Sequence, residues 1–107
     1  MKNVSVIIPL YNNMPIVNDI EKKILFLSKC FRQTILVDDA SKDGAYLYLK
    51  SFLAKNNISN VEIILNRENM GPGFSRNVGI KNLFVSTWLF WIVMMIGIPK
   101  KLKFKLH

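Results

Sequence analysis

The sequence predicts an α/β fold in which helices cover a mainly parallel β-sheet. Short β-branched apolar segments, typical of buried parallel strands, alternate with segments of helical periodicity in the order β-α-β-α-β-α. The length of 107 residues leaves room for one small domain. Half of the residues are apolar and 21% are charged, which is a globular rather than a disordered composition.

The first three predicted elements are two buried strands and the helix between them. The strands are Val4–Pro9 and Thr34–Val37, each apolar on both faces. Between them, apolar residues recur three or four positions apart, as on one face of a helix. These residues are Ile16, Ile20, Ile24, Leu27 and Phe31.

The remaining elements follow a polar turn at residues 38–44. A second helical face contains Leu49, Phe52 and Leu53 and fades near residues 56–57. The third strand is Val61–Leu65, and a short third helix is expected over Phe74–Asn82. This alternation predicts parallel strands joined by right-handed crossovers.

Charge and cysteine content exclude several classes of protein. The formal charge is +8, but four of the fifteen basic residues lie in the last eight positions. A basic tail on an ordinary body is a weak argument for nucleic acid as a partner, so we expect no nucleic-acid partner. The single cysteine, Cys30, excludes an internal disulfide framework, and His107 is terminal and alone. No secretory signal opens the chain, so we expect a cytoplasmic protein.

Polar clusters follow all three predicted strands, at the edge where open α/β sheets collect their ligands. They contain Tyr11, the Asp38-Asp39 pair and the loop at 66–77. Singly, each has a structural explanation as a turn or a cap of the sheet. Together they suit a nucleotide. An aromatic ring can stack on a base, carboxylates accept donors from base and ribose, and Arg76 can bind phosphate.

Three segments resemble the opening of the family 2 glycosyltransferases, which have the GT-A fold. They are VSVIIPLYNN, ILVDDASKDG and ILNRENMGPGFSRNVGIKN, and the resemblance covers about residues 3–82. It implies a truncated GT-A, Rossmann-like sheet, with residues 1–82 as the nucleotide-binding part. It also implies inverting transfer from a nucleotide-sugar donor, expected to be a UDP-sugar, with Mg²⁺ or Mn²⁺.

The resemblance also assigns residues to the donor site. Pro9, Tyr11 and Asp39 would line the base and ribose pocket, while the adjacent Asp38 supports the turn. Arg76 would lie near the base or phosphates. The full nucleotide-sugar-binding set is Pro9, Tyr11, Asn12, Asp38, Asp39, Asn69, Gly71, Gly73 and Arg76.

The family next requires an aspartate cluster that holds the metal, and no Asp or Glu follows Asn82 in this chain. The acceptor-binding half of the family, which carries its catalytic base, is also missing. We therefore assign no catalytic and no metal-binding residue. The sequence predicts a catalytically incompetent fragment of a glycosyltransferase.

Part of the gene sequence that encodes residues 83–107, the tail, can be inferred from the protein, because tryptophan and methionine each have a single codon. In the frame that joins each codon's third base to the next two bases, residues 90–97 can encode leucine-aspartate-serine-aspartate-aspartate-aspartate-tryptophan. This hidden sequence resembles the metal motif of the family and lies where the family places it. We therefore expect residues 83–107 to be an out-of-frame tail that follows a frameshift near Asn82.

Two other interpretations of the tail remain. The uncharged run Leu83–Ile98, followed by lysines, could tether the chain to a membrane as an accessory protein. A helix of this length spans about 24 Å, which is less than the roughly 30 Å of a hydrocarbon core. Alternatively, the run packs on the sheet as an apolar edge element. For the chain as a whole, a non-catalytic nucleotide-binding remnant is the other alternative to a fragment of an enzyme.

Overall fold

The structure, a computed structural model, describes residues 2–83 and 92–93. A short 3₁₀ turn at Met14–Ile16 precedes the first helix. The strands and helices in chain order are β1 (Lys2–Leu10), α1 (Val17–Cys30), β2 (Phe31–Asp38), α2 (Ala45–Lys55), β3 (Val61–Leu65), α3 (Pro72–Lys81) and β4 (Ile92–Val93).

The described strands form one sheet in the order β3-β2-β1-β4, and every neighbouring pair is parallel. The predicted α/β fold with a parallel sheet is therefore confirmed. The register places Leu10 of β1 opposite Asp38 of β2, and Asp38 opposite Leu65 of β3. Three consecutive strands thus end level with one another, at one edge of the sheet.

Both faces of the neighbouring strands β1 and β2 are buried over most of their length, which explains why these strands are apolar on both sides. In β1, Val6 and Ile8 belong to the core that includes residues of α1 and α2. Ile7 belongs to a smaller core on the α3 side, with Ile35, Val37 and partly buried Val78. The α1–α2 core is the larger one; its members from the two helices are Val17, Ile20, Ile24, Leu27, Leu49 and Leu53.

The assignment of Phe31 to the first helix is wrong. Helix α1 ends at Cys30, and Phe31 has extended backbone angles and opens β2. Its side chain is still buried in the same core as Leu27. The helical spacing continued through this residue because the chain passes into the strand without leaving the core.

Most of the apolar run Leu83–Ile98 lies outside the described residues, so its anchor, edge-element and out-of-frame interpretations stay predictions. Within the described part, Ile92–Val93 pairs in parallel with Val6–Ile7. None of the helices in residues 2–83 combines the length and apolarity needed to cross a membrane.

Helix α3 approaches the sheet closely at Gly79, which is buried. A Cβ atom at this position would lie 2.5 Å from Cγ2 of Ile7 and 3.1 Å from its Cγ1 and Cδ1. Ile7 is fully buried in the middle of β1 and is branched at Cβ, so it has little freedom to move away. The spacing between α3 and the sheet therefore depends on this glycine.

We expect Gly79→Ala to lower the free energy of unfolding by about 1–3 kcal/mol relative to Gly73→Ala, because the new methyl group overpacks the core. Gly73 lies in the same helix, where a Cβ would meet only Nη2 of Arg76 at 3.6 Å. Replacing glycine by alanine also raises helix propensity, and this gain is larger at Gly79, in the helix interior, than at Gly73, in the first turn. The gain in propensity therefore reduces the expected difference in stability. Urea denaturation of both variants measures the difference in the free energy of unfolding. Equal stabilities would contradict the close approach of Gly79 to Ile7.

Candidate functional site

The level ends of β1, β2 and β3 are tied together by backbone hydrogen bonds just beyond the strands. The Asp39 N–H donates to the Leu10 carbonyl at 2.8 Å, and the Asn66 N–H donates to the Asp38 carbonyl at 2.8 Å. The two adjacent aspartates therefore sit at the centre of this edge. Their carboxylates are both buried, so each requires hydrogen-bond donors.

The Asp38 carboxylate organises the loop on the β1 side. It accepts hydrogen bonds from the backbone N–H of Ser41 at 2.8 Å and from the Ser41 hydroxyl at 2.6 Å. That hydroxyl in turn accepts from the Asn12 N–H at 2.8 Å, and Oδ1 of Asn12 accepts from the Lys42 N–H at 2.9 Å. Asp38 thus supports its turn, and Asn12 joins the β1 loop to that turn.

The Asp39 carboxylate organises the loop on the α3 side. Its Oδ1 accepts from the Met70 N–H at 2.8 Å and from the Asn66 side-chain amide at 2.9 Å, and its Oδ2 accepts from the Gly71 N–H at 2.8 Å. Burial raises the pKa of the Asp39 carboxyl. The hydrogen bonds from Met70, Asn66 and Gly71 stabilise the ionised form and together hold this pKa below its ordinary value.

Helix α3 begins immediately after this anchored loop. Gly71 precedes the helix with a φ of 91°, a conformation that L side chains rarely adopt, and Pro72 occupies the first turn. Because proline has no N–H, the first-turn N–H groups without a partner inside the helix are those of Gly73 and Phe74. Residues 71–73 (Gly-Pro-Gly) therefore lead directly into α3. The helix begins at Pro72, two residues before the predicted start at Phe74.

Sequence reasoning missed Asn66 and Ser75 as site residues. Both are buried, and the Asn66 amide donates to the Ser75 hydroxyl at 3.0 Å as well as to Asp39. The available signal was weak. Ser75 precedes Gly79 by four positions, so the two small residues share the inner face of α3.

The other predicted residues divide between two parts of the edge. Tyr11 is 46% exposed beyond β1, and Pro9 is half-buried within that strand. Asn12 lines a cavity of about 590 Å³ with Met14, Pro15, Lys42 and Asp43. Gly73 and half-buried Arg76 line a separate cavity of about 350 Å³ with Asn77 and Ile80. Asn69 is exposed in the loop between β3 and α3.

The comparisons identify proteins with this architecture. The sequence profile described as Glycosyl transferase family 2 matches residues 5–93. TarS from S. aureus is 26% identical in sequence, with a TM-score of 0.65 over 87% of this chain and 16% of that one. TarS 1–349 solved in complex with UDP is 28% identical, with a TM-score of 0.60 over 87% of this chain and 27% of that one.

A mannosyltransferase from Pyrobaculum calidifontis, PcManGT, solved with GDP-Man and Mn²⁺, shares the fold at 19% identity. Its TM-score is 0.64 over 76% of this chain and 24% of that one. No curated protein matches significantly. This chain therefore spans a quarter or less of most of these structures.

A divalent metal accompanies one of these neighbours, and holding such an ion would require a group of carboxylate, histidine or cysteine side chains. Across residues 2–83 and 92–93, no three His, Cys, Asp or Glu side chains are grouped so that they could hold a metal ion. The Asp38 and Asp39 carboxylates are directed at Ser41 and at the 66–71 loop, respectively. The described residues do not fit a metal site.

We expect Asp39→Asn to lower the free energy of unfolding at neutral pH by about 1.5–3 kcal/mol, because it removes a charged acceptor of three donors. The pKa of Asp39 is depressed in the folded state, so its stabilisation is present above its unfolded pKa of about 3.9. It is lost as the pH falls through the folded pKa. Urea denaturation between about pH 6 and pH 2.5 should show the stability gap between wild type and variant closing in acid.

The control is Glu62→Gln, which removes an exposed carboxylate from β3. It should follow the acid dependence of the wild type. A gap for Asp39→Asn that stays constant across the whole pH range would contradict the assignment of an ionised, buried carboxylate.

Proposed function

The chain belongs to glycosyl transferase family 2, and on that premise we propose that the carboxyl edge of its sheet binds the nucleotide of a nucleotide-sugar donor. The observation that carries this proposal is the level ending of β1, β2 and β3, which brings Tyr11, Asp39 and the start of α3 to one edge. Ligands of open α/β sheets bind at this edge.

The base and ribose would be recognised between β1 and β2. The exposed ring of Tyr11 offers a stacking surface for a base. The Asp39 carboxylate has about four acceptor positions, and three take donors from the described residues. One position on Oδ2 remains for an N–H or hydroxyl of the ligand.

The phosphates would lie toward α3. The unpartnered N–H groups of its first turn and its dipole favour an anion. Arg76, on the second turn of the same helix, adds a cationic fork of donors that suits phosphate oxygens. UDP is the nucleotide we propose, since TarS, which shares 28% identity with this chain, is solved with UDP.

We further propose that this chain binds the donor without transferring the sugar. Family 2 enzymes are glycosyltransferases, but no acidic residue follows Glu68 in this sequence. Residues 69–107 therefore offer no carboxylate that could lie beside the leaving diphosphate or act as a base. The hidden frame over residues 90–97 can encode aspartates, which residues 83–107 themselves lack. Together with the absence of acidic residues after Glu68, this supports an out-of-frame origin of residues 83–107.

The binding proposal is tested by titrating UDP into the purified chain in a calorimeter. We expect Tyr11→Ala to weaken binding by roughly 5- to 150-fold, equivalent to about 1–3 kcal/mol of stacking, and Tyr11→Phe to retain it. Tyr48→Ala is the matched control, because this exposed tyrosine lies on α2 and donates to Glu21. Absence of UDP binding by the wild type would sink the proposal.

The second part of the proposal predicts that the chain releases no UDP from a UDP-sugar, with or without Mn²⁺. Sequencing the gene from the codon for Gly79 to beyond His107 should show a second frame that encodes the aspartate cluster and continues. Restoring that frame should restore UDP release. Metal-dependent UDP release by the chain as it stands, or early stops in both other frames, would contradict an out-of-frame tail.

A further inference from the structure

We propose that Asn66 and Ser75 are positioning residues for the nucleotide site, acting through the carboxylate of Asp39. This inference rests on the proposed function, since it concerns the same edge of the sheet. Neither residue needs to touch the nucleotide. Their role is to fix the carboxylate and the start of α3 relative to the ends of β2 and β3.

The network centres on the side-chain amide of Asn66, whose two N–H groups donate to two different side chains. It donates to Oδ1 of Asp39 at 2.9 Å and to Oγ of Ser75 at 3.0 Å. The three side chains come from the residue after β2, the residue after β3 and the end of the first turn of α3. Asn66 is 7% exposed, Asp39 is 5% exposed and Ser75 is fully buried, so water cannot readily replace these bonds.

The network controls the part of α3 that faces the ligand. The Asp39 carboxylate also holds the N–H groups of Met70 and Gly71, the last two residues before the helix. Ser75 directly precedes Arg76 in α3. A shift of the Asn66 amide would therefore move the carboxylate, the first turn of the helix and the base of the arginine together.

An asparagine at position 66 suits this task for a specific chemical reason. A neutral amide supplies two donors at once, whereas a hydroxyl supplies one and a carboxylate supplies none when ionised. An apolar side chain would leave both Oδ1 of Asp39 and the Ser75 hydroxyl short of a donor in a buried site. A carboxylate would place a second negative charge against Asp39.

The experiment uses Asn66→Asp, which keeps the shape of the side chain and changes its chemistry with pH. When ionised, the new carboxylate repels Asp39 and cannot donate. Burial and the charge of Asp39 both raise its pKa, so in mild acid it becomes protonated and regains a donor. Asp39 is the titratable group in contact with the substituted atom, and the Asp38 carboxylate faces Ser41 instead.

UDP affinity is measured for variant and wild type at about pH 8 and about pH 5, and the ratio at each pH cancels the titration of the nucleotide itself. We expect binding by Asn66→Asp to be at least tenfold weaker than wild type at the higher pH. This difference should narrow by at least threefold at the lower pH, where the protonated side chain regains one of the two donors. Asn18→Asp, the same change on the exposed face of α1, should match the wild type at both.

A second variant and a second measurement keep the inference falsifiable if Asn66→Asp fails to fold. Ser75→Ala removes only the hydroxyl and should weaken UDP binding by a few-fold at both pH values. Hydrogen exchange should also show lower protection of the Met70 and Gly71 amides in Ser75→Ala than in the wild type.

Each outcome supports or overturns the inference. A folded Asn66→Asp with wild-type affinity at both pH values overturns it, as does a loss of affinity that mild acid does not repair. Wild-type affinity and protection in Ser75→Ala overturn the part played by Ser75. If the wild type binds no UDP, the proposed function fails. Unchanged protection at Met70 and Gly71 in the variants then overturns the positioning role, and reduced protection supports it.

Discussion

The buried carboxylate of Asp39 is the group on which the carboxyl edge of the sheet depends. Burying a charge is unfavourable unless donors compensate it, and here two backbone N–H groups and one side-chain amide do so. Those donors lie in the loop between β3 and α3. The hydrogen bonds that compensate the charge of Asp39 therefore fix the position at which α3 begins.

The neighbouring Asp38 does the corresponding work for the β1 loop. Because successive residues at the end of a strand point to opposite sides, Asp38 reaches Ser41 and the loop at Asn12, while Asp39 reaches the loop that starts α3. The pair thus braces the two loops that flank the proposed nucleotide site. Close packing of Gly79 on Ile7 sets the distance between α3 and the sheet.

The fold was predictable because β1 and β2 are buried on both faces. Their β-branched apolar runs therefore predicted the strands, and helical spacing predicted α1 and α2. The boundary at Phe31 was not predictable, since a residue can stay in one core while its backbone passes from helix to strand. The double aspartate predicted carboxylates that accept donors from a ligand. The sequence could not reveal that backbone N–H groups of Met70 and Gly71 already donate to Asp39. Asn66 went unnoticed because asparagine is ordinary in a polar loop.

The central claim is that a nucleotide binds at the edge formed by β1, β2 and the start of α3. Amide chemical shifts of the ¹⁵N-labelled chain, followed during addition of UDP, test it most directly. The account predicts that the largest saturable changes fall at Tyr11, Gly71 and Arg76. Changes confined to the cavity of about 410 Å³ between α1 and α2, around Tyr48 and Lys55, or no saturable change at all, would contradict it.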